Sequence, residues 1–383
     1  MIAVAYGTTG ELIKLAPVLR ALQDRGASPY VLCTGQQVEQ IPALLADFGL
    51  PQPDLWLGRG YKSRDLERAA WIPRWVADVT AGFARNYRML RRMVRAGDTE
   101  PVMLVHGDTF TTVLGALMGH ALGIPVAHLE AGMRSGNWRH PFPEELDRMA
   151  VARLARIHFA PGAYAADNLR RMHAPGEILD TGGNTIRDAL ELVPPGAPEL
   201  ALPPEPFGLV SLHRFELLGN PAAFRGIVEL LREKSRTTPL LFVDHPVTAA
   251  AIQAQGLDDL FDERFRRVPR QRYFNFIALL KASSFLVTDS GGSQEECAYL
   301  GHPCLVHRTT TEHPEGLDGP VVLSRMDRQV AAEFLADPLI HTGTPPTSGR
   351  RPTDLVMACF ERRGYLPARP AETELVAAAQ ARL

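Results

Sequence analysis

The sequence predicts an α/β protein: two doubly wound, Rossmann-like domains that face a central cleft. Two observations predict it. Short apolar runs alternate with helical patterns along the chain, and a proline-rich joint near residue 190 divides that alternation into two series. Apolar runs this short, bounded by Gly, Pro or polar clusters, are the pattern of strands buried on both faces of a parallel sheet. The length of 383 residues agrees, since domains average roughly 150 residues and two or three are expected.

The elements follow in order. Residues 2–6 form the first strand. A helix is expected over residues 11–26, where Leu12, Leu15, Ala16, Leu19 and Leu22 fall on one face. Further strands are expected at 29–33, 101–106 and 125–129. The longest uncharged stretch, 109–129, is broken by His120, Gly123, Pro125 and His128, so it divides into helix, turn and strand rather than a membrane span. The prolines of 193–198 and 203–206 cannot sit inside a helix or a central strand. Beyond them the second series runs 207–212, 240–244, 285–288 and 303–307. The domain boundaries expected are therefore 1–187 and 188–359, with a C-terminal helix over about 360–383 packing back on the first domain.

Composition narrows the function classes. A formal net charge of −2 gives no support for a nucleic-acid or membrane surface. Cys33, Cys297, Cys304 and Cys359 lie far apart and form no CxxC pair, which fits a reduced cytoplasmic chain without a metal cluster. The N-terminal run lacks a basic leader and is a first strand, not a signal peptide.

Polar residues gather where these strands end. The run Thr288-Asp289-Ser290-Gly291-Gly292-Ser293-Gln294-Glu295-Glu296 follows a strand and opens a helix. Ser290, Gly291 and Gly292 can present backbone N–H groups and a helix N-terminus to an anion, and the carboxylates behind them can hold a sugar or ribose hydroxyl. A phosphorylated ligand, most plausibly a nucleotide, fits such a turn. Residues 7–11 with Lys14 make a second strand-to-helix loop, either an anion site or simply a tight turn. Asp108 and Glu130 stand at strand ends, and Glu144 opens a Pro-started helix with Arg148 one turn on. Several carboxylates at one rim push their pKa values apart, which suits paired general acid and base work. His213 and Arg214, followed by Glu216, suit a diphosphate. His245 is structural by default, and Tyr273 and Phe276 are more often core than base-stacking. Arg308 and Glu312 complete the second rim. No GxxxxGK[ST] or GxGxxG fingerprint occurs, which disfavours an ATP-type P-loop or a dinucleotide enzyme.

Eight motifs carry a resemblance. They are Gly-Thr-x-x-Glu-x-Ile-Lys in a looser form at 7–14, Val-His-Gly-Asp-Thr at 105–109, His-x-Glu-Ala-Gly-x-Arg at 128–134, and Pro-x-Pro-Glu-Glu-x-x-Arg at 141–148. The others are the Thr-Gly-Gly-Asn-Thr of 181–185, His-Arg-x-Glu at 213–216, the run 288–296, and Arg-x-Thr-Thr-Glu-x-Pro-Glu at 308–315. In this order they resemble the non-hydrolysing UDP-N-acetylglucosamine 2-epimerase family. The resemblance implies the two-domain GT-B fold with a UDP-sugar in the cleft. It implies Asp108, Glu130 and Glu144 as catalytic acids, with Arg148 and His213 beside them. Ser290, Gly291 and Gly292 match the diphosphate cradle, and Glu296 matches the residue on the ribose hydroxyls. Lys14, Arg214, Glu216, Tyr273, Phe276, Arg308 and His313 fall among the implied substrate-binding positions. The implied partner set is a UDP-sugar and a second copy of the chain, with no metal or redox cofactor.

The sequence also departs from the family pattern. Thr9-Gly10 replaces Arg-Pro, Phe215 replaces the second Arg of His-Arg-Arg-Glu, and His313 stands where Arg is usual. Three cleft arginines are thus exchanged. The segment 58–97 is longer and richer in Arg and Trp (Trp71, Trp75) than its counterpart, which argues against the allosteric site some bacterial members form there. A specialised member follows: an altered sugar or nucleotide, or a reaction that ends in hydrolysis. A GT-B glycosyltransferase and a catalytically silent nucleotide-sugar sensor are the alternatives of other classes. The acids at the N-terminal rim count against the first, and intact Asp108, Glu130, Glu144 and His213 against the second.

Overall fold

A computed structural model describes residues 1–58, 65–66, 69–136, 143–346 and 349–366. They fall into two compact units. One comprises Met1–Asp188 with the chain from Gly349 onward; the other comprises Ala189–Ser348.

The first unit is wound on seven parallel strands: β1 (Ile2–Tyr6), β2 (Tyr30–Cys33), β3 (Leu55–Trp56), β4 (Val102–His106), β5 (Val126–Leu129), β6 (Ile157–Ala160) and β7 (Glu177–Asp180). Their order is β3-β2-β1-β4-β5-β6-β7, parallel throughout. β1, β4, β5 and β6 are buried at every residue. Helices cover both faces of such a sheet, which is why these strands are continuous apolar runs and do not alternate. On one face, Met103, Val105, Val126, Ala116 and Leu122 pack with Trp75, Val79 and Leu90 of the helix Ile72–Ala96.

The second unit repeats the winding with β8 (Gly208–Ser211), β9 (Leu240–Asp244), β10 (Phe265–Pro269), β11 (Phe285–Thr288), β12 (Cys304–Val306) and β13 (Val321–Leu323). The order is β10-β9-β8-β11-β12-β13, again all parallel. In both sheets the winding reverses between the first strand and its fourth-in-sequence neighbour, and ligands of open α/β sheets bind beyond the carboxyl ends at that point. In unit 1 these are the loops after β1 and β4; in unit 2 they follow β8 and β11.

β3, β6, β7, β10 and β13 are additional to the strands predicted. The chain returns to the first unit at Gly349, before the residue 360 expected. There the helix Pro352–Arg362 lies on the helix Thr9–Asp24, with Val356, Met357 and Phe360 fully buried. Arg25 pairs with Glu361 at 3.2 Å, and Asp188 accepts the Thr353 N–H at 2.8 Å. Burying a side chain such as Phe360 contributes about 1.5–3 kcal/mol, enough to fix this return. The remainder of the expected terminal helix, 367–383, lies outside the described residues. All four cysteines are buried and free. Among the described residues no helix is long and apolar enough to cross a membrane.

Candidate active site

The loop after β1 settles as a turn. Glu11 is buried at the first turn of the helix Thr9–Asp24, and its carboxylate accepts the N–H groups of Gly7 and Thr8, each at 2.9 Å. The Thr8 hydroxyl in return accepts the Glu11 N–H, which closes a capping box. Thr9 N–H goes to Gln37. These backbone donors are committed inside the protein, so the tight-turn alternative holds and the anion site does not.

Lys14, on the same helix, turns toward Glu130. Its ammonium and the Asn184 amide both donate to Glu130 Oε2, and His106 Nε2 lies 3.6 Å from the same oxygen. Lys14 and Glu130 are each about nine-tenths buried. Glu130 sits immediately after β5 with φ 59°, in the left-handed region. A non-glycine residue held there is strained, and such strain gathers where surroundings must aim one side chain. Burial lowers the His106 pKa to about 4, so the imidazole is neutral at pH 7. Thr185 anchors the arrangement by donating to the Lys14 carbonyl at 2.6 Å.

A second carboxylate group lies on the helix Glu144–Leu154 and the loop after β4. Arg148 donates to Asp108 and, at 3.3 Å, to Glu145. Glu145, fully buried, is also held by Arg134 and by the Ser135 N–H at 3.2 Å. Among the described residues Glu144 Oε2 is buried without a hydrogen-bond partner. Residues 140–142 of the motif preceding Glu144 lie outside the described residues. One turn on, Asp147 is also buried; desolvation first, then the charges of Asp108 and Glu144, push its pKa up to about 7.

In the second unit, fully buried Asp289 accepts the backbone N–H groups of His213 and Arg214 at 2.8–3.0 Å. The carboxylate thereby fixes the chain after β8. The His213 ring stacks on His245 with centroids 4.4 Å apart, and His245 Nε2 lies 3.3 Å from Ser211 Oγ. Desolvation, then Arg214 and Arg270, lower His213 to about 4; desolvation, then His213 and Arg270, lower His245 to about 3. A third of the His213 side chain reaches solvent, so both rings present neutral nitrogens beside cationic side chains.

Ser290 caps the helix Gly291–Leu300, its hydroxyl accepting the Ser293 N–H. Gly291 is required here: a Cβ would stand 2.7 Å from the His313 ring. Gln294 ties down the segment over this helix end, donating to the carbonyls of His313 (2.8 Å) and Glu315 (3.2 Å) and accepting from Thr311 (2.7 Å). Buried Glu296 faces Tyr273, whose phenol is raised well above its ordinary value by desolvation and then by Glu296. His313 is enclosed by Glu295, Glu312 and Glu315 at 3.6–3.8 Å. Glu295, His313 and Glu315 bring one potential ligand atom each within 4.8 Å of one another, so a cation could be met there by spacing.

Other expected residues are placed differently. Arg308 is buried between Glu312 (3.2 Å) and Glu216 (3.5 Å), and Glu216 accepts from Thr309, so these residues brace one another. Phe276 packs against the apolar cluster of Ile277, Leu280 and Val306, as core. Phe215 is 72% exposed. Sequence reasoning gave no role to Asn184, His106, Asp147, Asp289, Arg270 or Gln294, and it took His245 as structural. Asn184 and Asp289 sit inside quoted motifs, so their position was visible though their partners were not. Arg270 carried no signal.

Known proteins extend the picture. A family model described as UDP-N-acetylglucosamine 2-epimerase matches residues 20–337. The chain is 33% identical to the Bacillus subtilis UDP-N-acetylglucosamine 2-epimerase over 353 residues, covering 88% of this chain and 87% of the relative. It is 32% identical to the Yersinia pestis enzyme over 338 residues, covering 84% and 85%. Among solved structures it is similar to UDP-GlcNAc 2-epimerase from Methanocaldococcus jannaschii in complex with UDP-GlcNAc and UDP (25% identity, TM-score 0.75, 94% and 99% covered). It is likewise similar to the Neisseria meningitidis enzyme bound to UDP-GlcNAc (26%, TM-score 0.75, 94% and 99% covered).

Proposed function

The chain belongs to the UDP-N-acetylglucosamine 2-epimerase family, and from that premise we propose that it interconverts UDP-GlcNAc and UDP-ManNAc, or a close nucleotide-sugar analogue. One observation carries the reading beyond membership: the three acids at strand and helix ends of unit 1 are individually provided for. Asp108 has Arg148, Glu130 has Lys14 and Asn184, and Glu144 keeps a carboxylate oxygen with no hydrogen-bond partner among the described residues.

The chemistry asks for those residue types. One carboxylate takes the C2 proton; the C–H electrons form the C1–C2 double bond, and the C1–O bond breaks toward UDP. The glycal stays bound. UDP then adds back to C1, and a second acid returns a proton to C2 from the opposite face. Asp108, Glu130 and Glu144 are assigned to this proton traffic, and Arg148 of the first unit and His213 of the second are assigned as further catalytic residues. The negative charge that develops on the diphosphate meets the N-terminal N–H groups of the helix Gly291–Leu300, with Arg214 nearby. Glu296 is assigned to the ribose hydroxyls, and the half-buried Tyr273 to fixing Glu296. Lys14 is assigned to Glu130. A homodimer in the cytoplasm completes the proposal; light scattering of the purified chain tests the dimer.

Asp108→Asn and Glu144→Gln test the assignment. Each is expected to lower turnover by at least about 100-fold, the scale of a lost general acid or base, with calorimetric UDP affinity unchanged. Turnover retained in both variants would overturn the acid–base roles.

A further inference from the structure

We propose that Asp147 is a positioning residue of the acid site that enters turnover as the neutral carboxylic acid and so places no third negative charge beside Asp108 and Glu144. This rests on the epimerase reading. Asp147 is three residues beyond Glu144 on the helix Glu144–Leu154, a spacing that stacks the two side chains on one face. It is 8% exposed, and its Oδ2, like Glu144 Oε2, is buried with no hydrogen-bond partner among the described residues. Four carboxyl groups meet here: Asp108, Glu144, Glu145 and Asp147. Among the described residues, the guanidinium groups that donate into this cluster are Arg148, to Asp108 and Glu145, and Arg134, to Glu145.

Among the described residues, the helix and the strand packed against this helix bring two further titratable groups, both histidines. The helix Phe110–Leu122 contributes His120, whose Nε2 is 2.8 Å from the Leu154 carbonyl at the opposite end. β5 contributes His128, bonded to the Gly107 carbonyl at 2.7 Å and kept neutral by burial. Glu145 and Asp147 are buried while Asp108 and Glu144 are half-buried; Glu145 is held by both guanidiniums, and a buried carboxyl without such a donor, Asp147, is favoured in its neutral form. Glu144 shares the buried oxygen without a donor among the described residues, but Asp147 is the buried residue of the two, and burial, Asp108 and Glu144 raise its pKa to about 7. An ionised Asp147 adds a further negative charge beside Asp108 and Glu144, where the C2 proton has to be taken up.

The test is the pH dependence of the wild type and of Asp147→Asn, a neutral replacement of nearly the same shape. Deuterium incorporation at C2 of UDP-GlcNAc is followed from pH 5.5 to 8.5. The wild type is expected to lose activity on the alkaline side with an apparent pKa near 7, and D147N to lack that limb. The variant-to-wild-type ratio then rises about tenfold between pH 6 and pH 8, the change in the neutral fraction of a group titrating at 7. A wild-type profile without this limb, or the same limb in D147N, overturns the proposal. Thermal melting supplies a readout free of activity. Asp147 titrates at 3.8 when unfolded and about 7 when folded, so the wild type loses stability relative to D147N as pH rises from about 4 to about 7, and the two run parallel above. That pattern in a protein without epimerase activity sinks the functional reading and keeps the Asp147 assignment. Melting curves parallel over the whole range sink the Asp147 assignment whatever the activity.

Discussion

Replacing Lys14 by Met isolates the electrostatics around Glu130. The variant keeps a side chain of similar length and deletes the ammonium that donates to Glu130 Oε2, in surroundings where both groups are about nine-tenths buried. Breaking a buried pair on one side costs about 3–5 kcal/mol, because the other charge is left without its partner. Glu130 can escape by taking up a proton. From an ordinary Glu pKa of about 4.3, that costs about 3.7 kcal/mol at pH 7 and about 1 kcal/mol at pH 5, at 1.36 kcal/mol per unit. The lower of the two costs prevails, so the predicted deficit of K14M is about 3–4 kcal/mol at pH 7 and about 1 kcal/mol at pH 5. The sign follows from linkage: a folded-state carboxyl pKa raised above its unfolded value removes stability as pH rises. Urea unfolding followed by tryptophan fluorescence reads this selectively, since Trp56, Trp71, Trp75 and Trp138 all lie within Met1–Asp188. Trp75 is buried, with its indole N–H on the Thr34 carbonyl at 2.9 Å, and makes a sensitive reporter. A deficit equal at the two pH values, or no deficit, refutes the role of Lys14 as the Glu130 counter-charge.

Three further outcomes are expected. Gly291→Ala places a methyl 2.7 Å from the His313 ring; the overpacking, of order 1–3 kcal/mol, should weaken UDP binding by about tenfold or more in calorimetry, whereas unchanged affinity removes UDP from that helix end. His245→Ala loses the stack on His213 and should lower kcat by roughly tenfold, the scale of an aromatic contact worth about 0.5–1.5 kcal/mol; His245→Phe, which keeps a ring there, should recover most of it. Asp289→Ala strips acceptors from the His213 and Arg214 N–H groups and should destabilise the protein by about 2–3 kcal/mol in urea unfolding, the cost of leaving buried donors unmade.

The sequence was most legible where one physical cause dominates. Strands buried on both faces leave unbroken apolar runs, so β1, β9 and β11 were read almost to the residue. β10, Phe-Arg-Arg-Val-Pro, is an edge strand whose half-buried positions carry Arg, and β7, Glu-Ile-Leu-Asp, is a half-exposed edge; neither keeps an apolar run to find. β6 was hidden differently, since Ile157–Ala160 follows the Ala- and Arg-rich end of the preceding helix with little break in pattern. The return of the chain at Gly349 depends on long-range burial of Phe360 and its neighbours, which local sequence does not encode. Around the candidate site, residue types at strand ends pointed to Asp108, Glu130, Glu144 and His213. Their partners were not legible, because Lys14 meets Glu130 across 116 residues and His213 meets Asp289 across 76. Lys14 shows the consequence: the loop beside it was read as either an anion site or a tight turn, and the fold turns the lysine onto a carboxylate.

The central claim is reversible proton exchange at C2 of a UDP-sugar, and proton NMR of UDP-GlcNAc incubated with the protein in deuterated water tests it most directly. The account predicts a growing UDP-ManNAc signal together with replacement of the C2 proton by deuterium; free UDP and N-acetylmannosamine alongside would mark the hydrolysing form of the same chemistry. An unchanged UDP-GlcNAc spectrum, or epimer formed with its C2 proton retained, would contradict it.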